Sequence, residues 1–568
     1  MASLALSIKN QKWLINPLAD ALVFLAAPLF IVPLLFVLPL IFSWAAIKIA
    51  VLSISATGHH LPGFIRAYTD RNIFQKFRAR LIIVPVLFAA MAIAAAWYRL
   101  SYVLFVLVIW GAWHGGMQTL GFLRIYDLKN GLQSKVMAKL DFWITLTWLI
   151  QVILWSVPKK TSILSYYYLA GGPLLPVHGV ALFETFWLAL TALATVAWLV
   201  FILYQAIVHR YLNLPKIICL AASMGFWAYC MITVNNILIG VILWEIFHDL
   251  QYNVFVWGYN HNRVRNRFSQ SGLEKFLFQW DAKRIGLYAL CIAAYGCIGI
   301  LNQDIFHVYD NQPVFASALS QIGNVFAASA LCHFYMDGFI WKVRDAKVRR
   351  DLGIGQSSAF TGHSEIRHWV GIGALVALCA YLGISEYRHR AQPGYAAGNN
   401  LAELVPASGY ANYMQAEKLR ENGEAAAAIV YLQKAIALDT AYGFARGELG
   451  GMKFAAGDFA GAIADLESLP AADRDENILD LLSQAYFQRA FQLLNAKDAA
   501  AAKPYLQKTL ALNPQQAPAW NYLGMAEHVA GHAQAAREDY LKALELDSGY
   551  AMAKENLRLW ESEYAKPN

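Results

Sequence analysis

The chain has 568 residues, 58% of them apolar and 15% charged, with a positive mean hydropathy, which excludes an ordinary soluble enzyme and fits a protein with many membrane-crossing segments. Its net charge of +8 is unevenly spread: residues 1–400 hold 31 Lys and Arg against 16 Asp and Glu, whereas residues 401–568 hold 15 against 22. A basic membrane half reflects loop charge, and with no arginine-rich arm or zinc-finger spacing no nucleic-acid partner is expected.

Hydrophobic runs long enough for helices of ~20 residues fall near 16–42, 44–64, 81–97, 101–123, 141–157, 180–208, 215–231, 234–258, 284–301, 315–340 and 368–386. About eleven spans are therefore expected. The first run, Leu18 to Phe42, lacks a small-residue cleavage site and is too long for a signal-peptide core, so it is expected to be retained. Basic clusters follow the even-numbered spans, at Arg66 to Arg80, Arg124 to Lys139, Arg263 to Arg267 and Lys342 to Arg350. The positive-inside rule puts those loops and the N-terminus in the cytoplasm. An odd number of spans then puts everything after Ser385 on the opposite face, the periplasm of a bacterium whose inner membrane holds the chain. All six cysteines lie in hydrophobic runs, so no disulfide framework is readable. The expected organisation is a membrane domain over residues 1–390, a linker over 391–408 and a further domain over 409–568.

From about Tyr410 the chain carries a helical repeat. Trp520, Gly524, Gly531, Ala536, Tyr540, Ala543 and Asp547 mark its clearest copy; Asn513-Pro514 ends another, and Asp547 lies 34 residues after Asn513. Weaker copies are marked by Ala416, Gly423, Ala428, Ala435 and Asp439, and by Gly450, Gly457 and Ala462. Small residues at helix crossings with a turn before each new pair resemble the tetratricopeptide repeat (TPR) family. The resemblance implies four repeats and a capping helix, Ala551 to Glu563, stacked as a soluble α-solenoid. It also implies a concave groove for a protein or peptide partner, and no catalysis. The fold class expected for the whole chain is all-α: a polytopic transmembrane helical bundle followed by this solenoid.

Within the membrane half the histidines are not scattered. His59 and His60 fall in the second span, His114 in the fourth, His248 in the eighth and His333 in the tenth. Each of these spans is expected to run from outside to inside. At ~1.5 Å per residue all five imidazoles lie about 20 to 27 Å from the outer ends, in one layer. Ionisable groups at such depth cost about 2.5 to 3.5 kcal/mol each and are kept for function. Neutral imidazole is a common ligand of iron, zinc and copper. Carboxylates accompany the histidines at helical spacing, Glu245 with His248 (i, i+3) and His333 with Asp337 (i, i+4), so each pair shares a helix face. The expected metal ligands are His59, His60, His114, His248, His333, Glu245 and Asp337. Gln118 and Asp249 are expected as hydrogen-bond partners of ligands. His261, 13 residues beyond His248, is assigned to the cytoplasmic surface, and no catalytic nucleophile is assigned.

Arg66 and Arg124 recur in the similar stretches GFIRAYTD and GFLRIYD. They are read either as basic residues of an interfacial aromatic belt or as binders of an anionic headgroup or substrate carboxylate. The whole layout resembles the histidine-rich membrane iron oxygenases, of desaturase and hydroxylase or of bacterial carotene-cleaving type. Only the His59-His60 pair and the stretch HFYMD at 333–337 echo their motifs. What the resemblance implies is one or two metal ions, iron foremost, acting oxidatively on a membrane lipid or other apolar substrate. Two alternatives stand beside it: a b-type haem protein for electron transfer, and a non-enzymatic anchor that presents TPR repeats to envelope proteins.

Overall fold

The computed structural model describes residues 11–98, 100–234, 236–269, 271–297, 299, 318–343, 345–354, 365–389, 397–439 and 443–564. Among these the secondary structure is entirely helical, and the chain divides into two compact units, Met1–Asn400 and Leu401–Asn568.

In the first unit we number the helices that frame the site: α1 (Ala27–Ile41), α2 (His60–Thr69), α3 (Arg78–Trp97), α4 (Tyr102–Lys129), α5 (Lys135–Trp155), α6 (Val157–Leu169), α7 (Val177–Val208), α8 (Leu214–Ala228), α9 (Ile237–Arg265), α10 (Ala282–Gly296), α11 (Ala318–Ile340) and α12 (Glu365–His389). Among the described residues, six segments are long and apolar enough to cross a membrane: α3, α4, α5, α7, Leu214–Thr233 and His368–His389. A seventh could be Pro17–Leu25 with α1, a pair bent by 56°. The outward face of α7 is a stripe of Leu182, Phe186, Leu193, Val196, Val200 and Leu203, each more than half exposed. A continuous apolar surface of that length would be untenable in water and is at home in hydrocarbon.

This count is lower than the eleven expected spans, and the shortfall has a local cause in each case. The segment expected at 44–64 is broken: a π-helical stretch, Ile49–Ser55, gives way to Ala56–Gly58, and α2 starts afresh at His60. α9 has 29 residues, ample length at ~1.5 Å each, but it carries Glu245, His248, Asp249 and Arg263. α10 ends after 15 residues. The outer ends of the spans expected at 284–301 and 315–340 lie largely outside the described residues, as do residues 391–396 of the expected linker. The helix Ala397–Leu404 occupies part of the stretch expected as a linker.

The helices that bear histidine are held at their ends. Asn236 caps α9 by accepting from the backbone N–H of Leu238 and Ile239. The buried Glu386 carboxylate of α12 accepts from the N–H groups of Ser101 and Tyr102, at 2.6 and 2.8 Å, and so caps α4 from another helix. α11 packs on α2, α3 and α4, with Leu331, Tyr335, Met336 and Phe339 against Leu81, Val84 and Phe88. α10 approaches the π-helical stretch so closely that a Cβ on Gly296 would lie 1.9 Å from Ile54 O, and one on Gly58 would lie 2.6 Å from Ile292 O. Glycine is required at both positions for the backbones to meet.

At the C-terminal ends of α2 and α9 a buried ionic knot gathers three loops. Arg263 donates to Asp70 (2.7 Å) and Glu274 (3.0 Å) and lies 3.1 Å from Asp351, while Lys347 donates to Asp70 at 2.8 Å.

The second unit is four antiparallel helix pairs and a last helix: α13 (Gly409–Glu421) with α14 (Ala425–Leu438), α15 (Gly443–Ala455) with α16 (Phe459–Glu467), α17 (Glu476–Asn495) with α18 (Ala499–Leu512), α19 (Ala517–Val529) with α20 (Ala533–Leu546), then α21 (Ala551–Tyr564). Small residues sit where the pairs cross: a Cβ on Gly450 would meet Leu466, and one on Gly524 would meet Tyr540, both at 2.7 Å. This is the tetratricopeptide layout.

Candidate metal centre

Four helical elements bring the five imidazoles together. Ring centroids lie 4.7 Å apart for His59 and His60, 4.6 Å for His59 and His333, 5.3 Å for His59 and His248, 5.1 Å for His114 and His248, and 4.7 Å for His114 and His333. All five side chains are buried. Two sets have donor atoms within 4.8 Å of one another and could hold a metal ion: His59 with His114 and His333, and His59 with His248 and Asp249. Metal–nitrogen bonds of about 2.0 to 2.1 Å put opposed ligand atoms ~4 Å apart, so closing on an ion takes side-chain shifts of under about 1 Å.

The ring nitrogens are unusually free for buried groups. Nδ1 and Nε2 of His333, Nε2 of His114 and both nitrogens of His59 have no hydrogen-bond partner. His59 Nδ1 lies 2.8 Å from Asp249 Oδ1, an ion-pair contact that falls off the line a hydrogen bond needs. Buried polar atoms are otherwise nearly always satisfied. Each of the three neutral rings offers one lone-pair nitrogen, and three such atoms within 4.8 Å match the donor set of a cation.

Around this core the remaining side chains act as orienters. Asp249 Oδ2 accepts from Ser55 Oγ at 2.7 Å. His60, expected as a ligand, stands outside both donor sets; its Nδ1 is 3.0 Å from Ser329 Oγ, which is 2.8 Å from Tyr295 OH. Such outer contacts fix ring orientation and tautomer. Gly63 lets α2 come close: a Cβ there would stand 2.7 Å from Tyr252 OH and 3.6 Å from His333 Nδ1.

The other expected site residues fall in varied places. Asp337 Oδ2 is 3.7 Å from His333 Nε2, outside both donor sets, and its Oδ1 accepts from Tyr252 OH and Trp341 Nε1, each at 3.0 Å. Glu245 is also outside both sets and lines a cavity beside them. Asp249, expected behind the ligands, stands among them. Gln118 donates to the backbone carbonyl of His248 at 3.1 Å, not to a ring. Arg66 is buried between the rings of Tyr259 and Trp341, 4.2 and 4.1 Å from their centroids, and donates to Ile340 O. Arg124 is matched by Asp127 at 3.3 Å and Asp141 at 3.5 Å, carboxylates shared with the buried Lys216. Neither arginine lines the cavity. His261 is tied to Phe278 O.

A cavity of about 190 Å³ reaches His59, His60, His114 and His248. Leu52, Leu107, Val108, Val241, Trp244 and Phe334 give it apolar walls, and each precedes a cluster histidine in the chain or, for Phe334, follows one directly. Lys159, at the start of α6, lines it too. Sequence reasoning missed Lys159, although Lys159 and Lys160 break the positive-inside pattern by standing in an expected outer loop. Ser55 and Tyr252 were also missed, although each lies four residues from a histidine.

No protein-family model matches the chain, and no curated protein matches it. Among solved structures the chain is similar to YrrB, a TPR protein with an unusual peptide-binding site (19% identity, TM-score 0.23, covering 30% of this chain and 85% of that one). It is also similar to the MamA protein (20%, 0.21, 30% and 85%) and to PilF of Pseudomonas aeruginosa (18%, 0.20, 36% and 92%). The tetratricopeptide assignment of the second unit rests on its own helix pairs.

Proposed function

We propose that the first unit is a membrane-embedded, metal-dependent oxidoreductase whose histidine centre binds one or two transition-metal ions, iron foremost, and acts on an apolar substrate. The second unit serves it by docking a protein or peptide partner. The observation that carries the reading is the set of unpartnered, buried ring nitrogens on His59, His114 and His333, whose donor atoms fall within 4.8 Å. Imidazoles with one carboxylate suit iron, zinc or copper. The apolar cavity against the rings supplies the water-poor setting that oxidative chemistry on a hydrophobic molecule requires. The bacterial inner membrane is the proposed location, with the basic loops cytoplasmic and the repeats periplasmic.

Haem is a poorer fit. Two axial imidazoles must face each other across a macrocycle, and rings packed 4.6 to 5.3 Å apart leave no slot of that width. The scaffold alternative draws on a different observation, a repeat unit of four helix pairs whose solved relatives include a peptide-binding TPR protein. That role is compatible with a metal centre and also stands without one.

Elemental analysis of the detergent-purified full chain separates these readings. The expected result is at least one iron, zinc or copper ion per chain, no Soret band, and loss of the ion in His59→Ala and His333→Ala. A metal-free wild type, or variants that keep the full metal content, would leave the scaffold reading alone.

A further inference from the structure

The cavity beside the histidines holds a lysine whose ammonium group is gripped by no ion pair at contact distance among the described residues. Lys159 lines it and is 6% exposed, and no carboxylate among the described residues pairs with its ammonium group. Its neighbour Lys160 is satisfied by Glu184 at 2.9 Å. The Lys159 backbone is fixed, because its N–H donates to Ser156 Oγ, the N-cap of α6, and that hydroxyl in turn donates to Met231 O. The side chain is thus placed in the cavity from a rigid start. Glu245 lines the same cavity without closing an ion pair on Lys159. Glu245 acts on the ammonium only from beyond contact distance, and a buried ammonium with no carboxylate against it leaves room for an anion brought by a ligand.

Resting on the metal-centre reading for its purpose, we propose that this cavity is a carboxylate-recognising substrate pocket. Lys159 takes the carboxylate of an aliphatic acid, and the hydrocarbon chain lies along Leu107, Val108, Val241 and Trp244 toward His59, His114 and His248. A single lysine with no arginine fork beside it matches a monoanionic carboxylate better than a phosphate, which draws several charged donors. The volume of about 190 Å³ holds roughly six water-sized groups, enough for a short acid or for the head segment of a longer one. The cation that recognises the acid is therefore neither Arg66 nor Arg124.

The test uses the purified full chain in a non-ionic detergent and equilibrium dialysis with radiolabelled octanoate and octanol, with metal content measured on the same samples. Saturable binding of one octanoate per chain is expected, at least tenfold tighter than octanol. Lys159→Met should weaken octanoate at least tenfold and leave octanol unchanged, while Lys159→Arg and Lys160→Met retain octanoate binding. Equal binding of octanoate and octanol by the wild type, a comparison that needs no variant, would overturn the proposal. So would Lys159→Met binding octanoate as the wild type does. Saturable, Lys159-dependent octanoate binding by a metal-free wild type would keep the pocket and remove the metal reading. Metal-loaded protein indifferent to octanoate would do the reverse.

Discussion

The two units handle charge in opposite ways. In the first, Arg263 is 2% exposed and surrounded by Asp70, Glu274 and Asp351, all of them buried. In the second, an ion pair such as Lys508 with Glu467 has 50% and 38% of its side chains exposed. A unit that brings polar histidines into an apolar bundle surrounds most of the charges it buries with partners, Lys159 being the exception. A stack of amphipathic helix pairs can leave its charges in water and take its stability from small residues at the crossings. Removing one charge should therefore cost very different amounts. Arg263→Ala removes the cation that three buried carboxylates share, leaving Asp70 to Lys347, Asp351 to Arg350 and Glu274 with no cation among the described residues, a loss of about 3 to 5 kcal/mol, seen as a collapse of folded yield and of the thermal midpoint in detergent. Lys508→Ala should cost less than about 1 kcal/mol. Similar losses for both would show that the knot around Arg263 is not a matched buried cluster.

The comparison sharpens with pH, because the units hold carboxylates shifted in opposite directions. Burial raises the pKa of Asp70, but Lys347 and Arg263 outweigh it and hold the carboxyl below its usual range. Its contribution is complete above the ordinary carboxylate pKa and is lost as pH falls through the lower folded value, in the acid range. Burial, with Glu417 next to it, pushes Glu448 up to about 7. The folded state then binds the extra proton, so this contribution is present below the unfolded carboxylate value and is lost as pH rises toward and through 7. Amide exchange in α13 and α15, corrected for the intrinsic pH effect, should therefore speed up between pH 5 and 8, and Glu448→Gln should abolish that trend. Exchange at the N-terminus of Arg71–Lys76, which Asp70 caps, should be flat over the same interval. A trend of the same sign at both places would refute the assignment.

How much could be read in advance differs between the units for the same physical reason. The repeats are local. Helix length, crossing residues and turns recur every 34 residues, so Gly450, Gly524 and Gly531 announce themselves without any long-range knowledge. The proposed metal centre is assembled from residues as far apart as His60 and Ser329, 269 positions along the chain. Matched depth along four spans was legible and named the five histidines. Depth gives no rotation about a helix axis, so it could not tell that Asp249 faces His59 while Glu245 turns to the cavity, or that Asp337 is taken by Tyr252 and Trp341. The gap between eleven expected spans and the six among the described residues has a related origin. Hydropathy runs do not register the break at His59 between Ala56–Gly58 and α2, and the polar groups of the site itself lower the apolar character of α9.

The repeat unit also holds one place where its own pattern fails. The turns inside the first, second and fourth pairs use Gly423, Gly457 and Gly531 at φ of 81°, 80° and 77°, whereas the third uses Lys497 at 63°. A left-handed conformation costs a residue with a Cβ about 1 to 2 kcal/mol. Glycine removes that strain but gains about 0.5 to 1 kcal/mol of unfolded-state entropy. Lys497 is exposed and its side chain makes no ion pair, so nothing else is lost on substitution. Lys497→Gly should thus stabilise the α17 and α18 pair by about 0.5 to 1 kcal/mol, read as slower amide exchange across the turn in the full chain. The reverse change, Gly531→Lys, should speed exchange in α19 and α20 by a comparable factor. If Lys497→Gly has no effect while Gly531→Lys destabilises, the third turn is relaxed by contacts beyond the backbone, and the repeats differ in more than their turn residue.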